Sequence, residues 1–507
     1  MNTGKMQQYD VVIIGSGLGG LACGVILAKE GYKVCVLEKN KQIGGMLQTF
    51  VRDRVIFDTG VHYVGGLNEG QNLNQLFRYL GIMHKLKIRK MDEDFFDGMI
   101  FKDDPTIYKY AQGYENFIKG LVSYFPDEEG AIRKYCDVVR DVCSKFPLYN
   151  LRVGNYESDN KIYETDTQTF LETLTTNKKL LAVLAGTNLL YAGEAYRTPL
   201  FVHALIINHY IESSWKFVDG GSQIARYLAH EIIVRGGKVI KHVKIIKLKE
   251  EDKKITYAEA ENGEKYYANY FISNVHPLKT VEMTESTMIK NVYRSRLKSL
   301  ESTTSTFYAN VVMKKNSFKY LNNNIYYFAQ DDAWCADKYT DENWPQGWAL
   351  FFVPSSRSTE FAEGVTIMSY MRIDEVKKWE NTFNIVGYED DRGVEYAEFK
   401  RAKAEKLFDA VEKQFPGFKD CIKSYTTATP LSARDYMGTD DGSLYGFAKD
   451  YREPMKTMIS ARTKIPNLLL TGQNINMHGV LGVTISAVVT SSQILGAEYL
   501  VNKINNA

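Results

Sequence analysis

The stretch YDVVIIGSGLGGLACGVILAKEGYKVCVLEKN, residues 9–40, decides the fold. It carries no charge over residues 11–28, so it is either a membrane or export segment or the first strand, turn and helix of a nucleotide-binding fold. The residue order favours the second interpretation, because a short β-branched run leads into a GxGxxG motif at Gly15, Gly17 and Gly20. A helical stretch and a second strand, KVCVLE, follow. We therefore predict a dinucleotide-binding βαβ unit.

Each position of the motif has its own physical role. Gly15 permits a tight turn, Gly17 lets the backbone approach a pyrophosphate, and Gly20 lets the helix pack closely on the strand. The helix N-terminus offers free N–H groups to the phosphates, and Glu38 can accept hydrogen bonds from ribose hydroxyls. The cofactor-binding residues predicted in this unit are Gly15, Ser16, Gly17, Leu18, Gly19, Gly20, Glu38 and Lys39.

Length and composition limit the possible function classes. A chain of 507 residues exceeds what one compact core usually serves, so two domains are expected. The formal net charge is +2, with both signs mixed along the chain, and we expect no nucleic-acid partner. The six cysteines include no CxxC pair, which favours reduced thiols over disulfides or a zinc site. His203 and His209 are six residues apart, the wrong spacing for one helix face, so no metal site is predicted.

Four further segments carry a family resemblance. They are KNKQIGGMLQTF (residues 39–50), FDTGVHYVGG (57–66), TPLFVHALIINHY (198–210) and LLLTGQNINMHGVLGVTISAVVTSSQIL (468–495). With the glycine motif, they make the chain resemble flavoproteins of the amine-oxidase superfamily. Within it, the chain looks like the branch of phytoene desaturases, carotenoid isomerases and all-trans-retinol 13,14-reductases (retinol saturases). The resemblance covers essentially the whole chain.

The resemblance implies FAD as the cofactor, with NAD or NADP as the alternatives. The doublet Gly44-Gly45 is expected to pass near the pyrophosphate, and Val243 to contact the adenine through its backbone. Two residues depart from the superfamily pattern: Met46 stands where many members have Arg, and Asn474 where relatives carry an acid. The cofactor-binding residues implied in addition to those of the first unit are Gly44, Gly45, Met46, Asp58, Val243, Asn274, Gly472, Gln473, Asn474, Gly482 and Val483.

The expected fold class is α/β. A Rossmann-type FAD-binding domain, with a parallel sheet and a β-meander, is predicted over residues 1–66, 217–280 and 455–507. A discontinuous α+β substrate domain built on an antiparallel sheet is predicted over residues 67–216 and 281–454. Its helices include residues 395–415, where apolar side chains recur on one face.

Candidate catalytic residues are histidines and tyrosines in the family-like segments. Reducing an isolated polyene double bond needs a proton donor, and His or Tyr suits this role near pH 7. His62 follows the segment expected near the flavin and is the first candidate, with Tyr63 beside it as a partner in a proton relay. His203 and Tyr210 are the next candidates. For each histidine taken singly, a hydrogen-bonded structural role is the alternative.

The resemblance implies an FAD-dependent oxidoreductase acting on C=C or C–C bonds of a small apolar substrate, a polyene or another lipid. A carotenoid cis-trans isomerase, a desaturase, an amine oxidase and a non-catalytic flavin- or lipid-binding protein are the alternatives. No second strand-GxGxxG-helix unit is present in the sequence, so a separate electron donor or acceptor is expected. The apolar runs 180–193 and 198–211 are too short to span a bilayer. These two runs predict either core helices or the wall of a tunnel for an apolar substrate. We expect a cytoplasmic protein, with peripheral contact at the inner face of the membrane as an alternative.

Overall fold

Two large sheets and a set of covering helices organise the chain. The computed structural model describes residues 8–154, 161–384 and 392–507. The described strands are β1 (Gln8–Ile14), β2 (Val34–Leu37), β3 (Thr49–Arg52), β4 (Val55–Asp58), β5 (Val64–Gly65), β6 (Ile88–Lys90), β7 (Asp97–Phe101), β8 (Tyr108–Tyr110), β9 (Ser214–Phe217), β10 (Lys238–Ile240), β11 (Ile245–Glu251), β12 (Lys254–Ala260), β13 (Lys265–Ser273), β14 (Thr284–Glu285), β15 (Ser305–Met313), β16 (Asn324–Phe328), β17 (Gly347–Phe352), β18 (Gly364–Met371), β19 (Ile422–Ala428) and β20 (Leu468–Leu470). The described α-helices are α1 (Leu18–Lys29), α2 (Asn72–Tyr79), α3 (Tyr114–Tyr124), α4 (Glu129–Ser144), α5 (Lys161–Glu164), α6 (Thr167–Glu172), α7 (Lys178–Leu184), α8 (Leu200–Glu212), α9 (Ser222–Val234), α10 (Pro277–Glu282), α11 (Asn291–Lys298), α12 (Val394–Gln414), α13 (Pro430–Met437), α14 (Gly479–Leu495) and α15 (Ala497–Asn505).

The first sheet combines a parallel core with an antiparallel extension. Its strand order is β10-β2-β1-β13-β12-β11-β14, and β20 also pairs with β13. Strands β10, β2, β1, β13 and β20 are parallel, with Val11 opposite both Val34 and Tyr270. Strands β11, β12 and β13 form an antiparallel meander. The predicted Rossmann-type parallel sheet with a β-meander is confirmed.

Helix α1 is the central helix of this unit. Its residues from Leu18 to Ala28 are all buried, because α14 and α9 both pack against it. A helix that is apolar on every side needs such surroundings to be stable. Gly20 provides the closest contact: a Cβ atom there would lie 2.2 Å from the carbonyl oxygen of Gly15. The helix can therefore start directly above the end of β1 only while position 20 has no side chain.

The second sheet follows the order β19-β15-β18-β17-β16-β7-β8. All its pairs are antiparallel except β16 with β7. Every residue of β15, β17 and β18 is buried, as expected for central strands covered on both faces. This largely antiparallel sheet is the one predicted for the α+β part of the chain.

Several predicted elements agree closely with the structure. The helix predicted over 395–415 is α12, Val394–Gln414, and the second strand predicted from KVCVLE is β2, Val34–Leu37. The predicted domain border at residue 280 falls before β14, which pairs with β11 in the first sheet. The first sheet therefore continues past residue 280, because β14 is hydrogen-bonded to β11. The division into two domains stays a prediction. Within the described ranges, no helix is both long and apolar enough to cross a membrane.

We expect Gly20→Ala to lower the free energy of unfolding by about 1–3 kcal/mol, because the new methyl group must displace the backbone of Gly15. Gly120→Ala is the matched control: Gly120 lies in α3, where a Cβ atom would have its nearest neighbour 3.9 Å away. That variant should gain roughly 0.4–1 kcal/mol. Denaturant titration of both variants measures the difference, and equal stabilities would contradict the close helix–strand contact.

Candidate functional site: a dinucleotide cleft joined to an apolar cavity

A second glycine loop lies directly against the first. The N–H of Gly44 donates to the carbonyl of Ser16 at 3.0 Å, and Gly44 has a left-handed φ of 111°, which a side chain would strain. A Cβ atom on Gly45 would lie 3.3 Å from the Cα atom of Gly17. The two loops thus present bare backbone on one side of a cleft enclosing roughly 1040 Å³, part of it open to solvent.

The opposite side of the glycine loop faces Asn274, which follows β13. A Cβ atom on Gly17 or on Gly19 would stand 2.7 Å from the amide group of Asn274. Asn274 can pack this closely against the loop only because both positions are glycine. The cleft is lined by these predicted cofactor residues: Gly17, Leu18, Gly19, Gly44, Gly45, Met46, Asn274, Gly472, Gln473, Asn474 and Val483.

Glu38 connects the glycine loop to the end of β2. Its Oε2 accepts hydrogen bonds from the N–H and the hydroxyl of Ser16 at 3.0 and 2.5 Å, and its Oε1 accepts from the N–H of Asn40 at 2.8 Å. A carboxylate has about four acceptor positions, so three are used by the protein itself. The side chain is buried, and the remaining position can accept a ribose hydroxyl.

Eight residues predicted to bind cofactor do not line the cleft: Gly15, Ser16, Gly20, Glu38, Lys39, Asp58, Val243 and Gly482. Lys39 donates to the backbone carbonyl of Asp435 at 3.1 Å. Asp58 accepts from the N–H of Gly221 at 2.7 Å, at the start of α9, and burial raises its pKa to about 7. The N–H of Val243 donates to the carbonyl of Glu38 at 2.8 Å. The structure therefore gives Lys39 and Asp58 roles in loop and helix contacts, and Val243 could meet an adenine only through its carbonyl group.

The C-terminal segment forms the far end of the cleft. Gly472 has a φ of 106°, and Asn474 accepts a hydrogen bond from the N–H of Phe447 at 2.9 Å. Helix α14 then begins at Gly479 with no side chain capping its N–H groups. Its first turn is tightly packed, since a Cβ atom on Gly482 would lie 2.7 Å from Met477. The positive end of the α14 dipole thus points into the site without a competing acidic group in its first turn.

An apolar cavity of roughly 1130 Å³, partly open to solvent, adjoins the cleft. The residues that line both spaces are Gly60, Val61, Tyr308, Tyr445, Gly479 and Val480. Elsewhere the cavity wall is mainly apolar and aromatic, including Phe146, Leu148, Leu205, Met368 and Ile485. The N-terminus of α14 therefore stands at the junction between a dinucleotide cleft and an apolar chamber.

His62 lies in the cavity wall, and its protonation state differs from the one expected of a proton donor. Its ring stacks on Phe351 with centroids 4.4 Å apart. Burial, and secondarily the charge of Lys216, lowers its pKa to about 3. At neutral pH the ring is therefore an uncharged imidazole, which is a much weaker proton donor than imidazolium.

Tyr63 and Tyr210 lie beside His62 in the same wall. Their rings pack with centroids 4.5 Å apart. The hydroxyl of Tyr63 donates to Oδ2 of Asp97 at 2.7 Å and also contacts the hydroxyl of Tyr326 at 2.7 Å. The structure thus brings together three of the four predicted catalytic residues.

His203 is held elsewhere. Its Nε2 and Nδ1 atoms lie 2.7 and 2.9 Å from the hydroxyls of Tyr135 and Tyr191. It lines neither the cleft nor the cavity. Tyr210 is seven residues further along α8, roughly 10 Å along the axis, which explains why one reaches the cavity and the other does not. The bonds of His203 match the structural alternative.

The residues that sequence reasoning missed come from distant strands and loops. Tyr308 on β15 and Tyr445 join the two spaces, while Asp97 and Lys216 lie fully buried behind Tyr63 and His62. No motif spacing connects these positions. The signal available in the sequence was an Asp and a Lys within apolar strand segments, because ionisable residues are rare in protein cores and can mark a functional site. Among the described residues, no group of three His, Cys, Asp or Glu side chains could hold a metal ion.

The chain was compared with known proteins. A family model described as an NAD(P)-binding Rossmann-like domain matches residues 13–80. All-trans-retinol 13,14-reductase from Rattus norvegicus is 27% identical, over 96% of this chain and 86% of that protein. Prolycopene isomerase 2 from an Oncidium hybrid cultivar is 24% identical, over 97% of this chain and 84% of that protein. Among solved structures, a wild-type putrescine oxidase has a TM-score of 0.62 at 13% identity, covering 97% of this chain and 99% of that one.

These matches agree with the residues and the fold from which the resemblance was predicted. The Rossmann-like match includes the glycine loop and Glu38, and the relatives align far beyond it. The putrescine oxidase shares the fold. The predicted resemblance is confirmed: along nearly its whole length the chain is similar to all-trans-retinol 13,14-reductases and prolycopene isomerases.

Proposed function

We propose that this chain is an FAD-dependent oxidoreductase that saturates a C=C bond of a polyene or another apolar lipid. The observation that carries the proposal is the junction at helix α14, where an apolar cavity of roughly 1130 Å³ meets the dinucleotide cleft. Its wall is mainly apolar and aromatic, which suits an apolar molecule. The relatives named all-trans-retinol 13,14-reductase support the same chemistry at 26–28% identity.

The residues of the cleft fit FAD. Backbone N–H groups of the glycine loop and the Gly44-Gly45 loop would hold the pyrophosphate, and the free acceptor position of Glu38 would hold the adenosine ribose. Asn474 lies where it would face the ribityl chain. FAD, when bound, supplies two-electron chemistry. NAD and NADP carry the same pyrophosphate, and FAD is preferred because the N-terminus of α14 at the far end of the cleft suits the negative charge of a reduced flavin.

The protein's own contribution is to exclude water, align the substrate and hold a proton. Apolar side chains such as Phe146, Leu205 and Ile485 desolvate a polyene. The uncharged ring of His62 supplies a flat surface together with Phe351. The hydroxyl groups in this wall belong to tyrosines, including Tyr63 and Tyr210, and neutral phenols are the available proton carriers at pH 7.

The electrons would come from a separate donor that meets the flavin, or return to a separate acceptor. An apolar substrate that resides in a bilayer would require peripheral contact with the membrane.

Flavin-dependent isomerisation is the second candidate function, because prolycopene isomerases align over 97% of the chain. Oxidation of an amine is disfavoured, because Met46 lines the cleft where many members of that superfamily have Arg.

Anaerobic incubation of the FAD-loaded protein with a chemical reductant and a polyene tests the proposal. All-trans-retinol and prolycopene are suitable polyenes, since the relatives carry their names. We expect a product heavier by two hydrogen atoms, read by chromatography and mass spectrometry. Unchanged mass with an altered retention time would instead establish isomerisation. A loss of two hydrogens with an electron acceptor would establish desaturation, and no product in any arm would overturn both.

We expect Glu38→Ala to weaken FAD binding roughly tenfold or more. The variant removes a charge-assisted hydrogen bond to the ribose, on the order of 1.5–3 kcal/mol, and about 1.4 kcal/mol is a factor of ten. Ser16→Ala is the matched control, because it removes one internal partner of Glu38 while retaining the carboxylate. Titration of the apoprotein should give a smaller loss for Ser16→Ala. Equal losses would show that Glu38 acts by shaping the loop rather than by binding the ribose.

A further inference from the structure

Behind the cavity wall lies a buried polar cluster formed by Tyr63, Asp97, Tyr326 and Asn324. Oδ2 of Asp97 accepts from Tyr63 at 2.7 Å, and Oδ1 accepts from the side-chain amide of Asn324 at 2.9 Å. The hydroxyls of Tyr63 and Tyr326 lie 2.7 Å apart. Of these residues, Tyr63 lines the cavity, whereas the others lie behind it. Tyr63 is therefore the residue that connects this cluster to the cavity.

We propose that Tyr63 donates the proton to the substrate carbon in the cavity and that Asp97 restores it. The inference rests on the proposed function, in which saturation adds a hydride equivalent from the reduced flavin and one proton. As the new C–H bond forms, the O–H bond of Tyr63 breaks. The O–H bond of the protonated Asp97 then breaks in turn, so Tyr63 is restored and Asp97 is left as a carboxylate. Solvent later returns one proton to Asp97.

The direction of the hydrogen bonds explains how the donor is switched on. The Tyr326 hydroxyl has no second hydrogen-bond partner among the described residues, so its proton points at Tyr63. When Asp97 is ionised, the proton of Tyr63 points at Asp97. When Asp97 is protonated, it donates to the Tyr63 oxygen, whose two acceptor positions are then filled. The proton of Tyr63 must then turn away from both Asp97 and Tyr326, which frees it for transfer.

The surroundings of Asp97 suit this exchange. Burial raises the pKa of Asp97 to about 7, although its hydrogen bonds and the charge of Lys216 oppose the shift. The carboxyl group is therefore protonated below about pH 7 and ionised above it. A donor with a pKa near the working pH is the most effective. Tyr63 and Asn324, which bond to Asp97, are neutral, and Lys216 is the charged group near it. The hydrogen bonds and this charge allow the carboxylate to form, while burial favours the return of a proton.

The groups facing Asp97 limit what else can titrate. They are Tyr63, Tyr110, Tyr210, Tyr326 and Lys216. Burial holds the pKa of each tyrosine above its ordinary value. Lys216 donates to the backbone carbonyls of Asn323 and Phe352, and burial lowers its pKa to about 7. Lys216 is therefore the group that the experiment must separate from Asp97.

The test measures the rate of product formation against pH in the FAD-loaded protein. The wild type should lose activity above about pH 7 with a one-proton slope, and the product formed in D₂O should carry one solvent deuterium at the reduced bond. Tyr63→Phe should lower the rate by about 10²–10⁴-fold, and Asp97→Asn should remove the loss above pH 7. Tyr135→Phe, which removes a buried hydroxyl next to His203, should retain both the rate and the profile.

Lys216→Met separates the two groups that titrate near neutrality. Removing the positive charge should raise the pKa of Asp97, so the loss of activity should move to higher pH. If the loss instead disappears in Lys216→Met and persists in Asp97→Asn, Lys216 is the titrating group and the proposal is overturned. A Tyr63→Phe protein with wild-type rate and profile would overturn it as well.

Infrared difference spectra between about pH 6 and pH 9 supply a readout that needs no substrate. The wild type should lose a protonated-carboxyl band on raising the pH. That band should be absent from Asp97→Asn and present in Asp58→Asn, the control for the other buried aspartate with a pKa of about 7. Absence of an Asp97 band overturns the relay alone. A wild type that reduces no polyene overturns the proposed function, and the relay with it, even where the band is present.

Discussion

The contact between Gly20 and the carbonyl of Gly15 is the constraint on which the site depends. It allows α1 to begin immediately above the end of β1, with a Cβ position only 2.2 Å from that oxygen. The Gly44-Gly45 loop then packs against the glycine loop, and Glu38 connects the loop to β2. Helix α14 packs along α1, so its N-terminus is positioned relative to the same turn. One close backbone approach thus fixes the phosphate end and the ring end of the cleft together.

The predictions that agree with the structure depend on local backbone geometry. A turn that requires glycine and an acid at a strand end are encoded by adjacent residues, so the glycine loop and Glu38 could be found from sequence. The assignments of Asp58 and Lys39 rested on proximity in sequence to these motifs. Their side chains bond to the backbone of Gly221 and Asp435, and their contact with a cofactor stays a prediction.

The apolar cavity could not be predicted in the same way. Its wall combines Tyr63 and Tyr210 with Tyr308, Phe351 and Tyr445, which come from separate strands, helices and loops. Tyr308 and Phe351 lie near each other because β15 and β17 belong to one buried sheet, and this depends on long-range strand order. His203 illustrates the limit: it shares a helix and a family-like segment with Tyr210, yet two helical turns separate it from the cavity.

Asp97 and Lys216 carry a cost that packing alone does not explain. An ionisable group taken out of water without a close opposite charge loses several kcal/mol of hydration. Neither side chain has a salt-bridge partner among the described residues: Asp97 is bonded to Tyr63 and Asn324, and Lys216 to two backbone carbonyls. Apolar residues of similar volume would pack in the same positions at lower cost. Residues whose pKa values are shifted towards neutrality concentrate at sites of proton transfer. Asp97 and Lys216 lie directly behind a cavity wall that contains tyrosines. The proton that the cluster can hold therefore explains why these two ionisable residues are kept there.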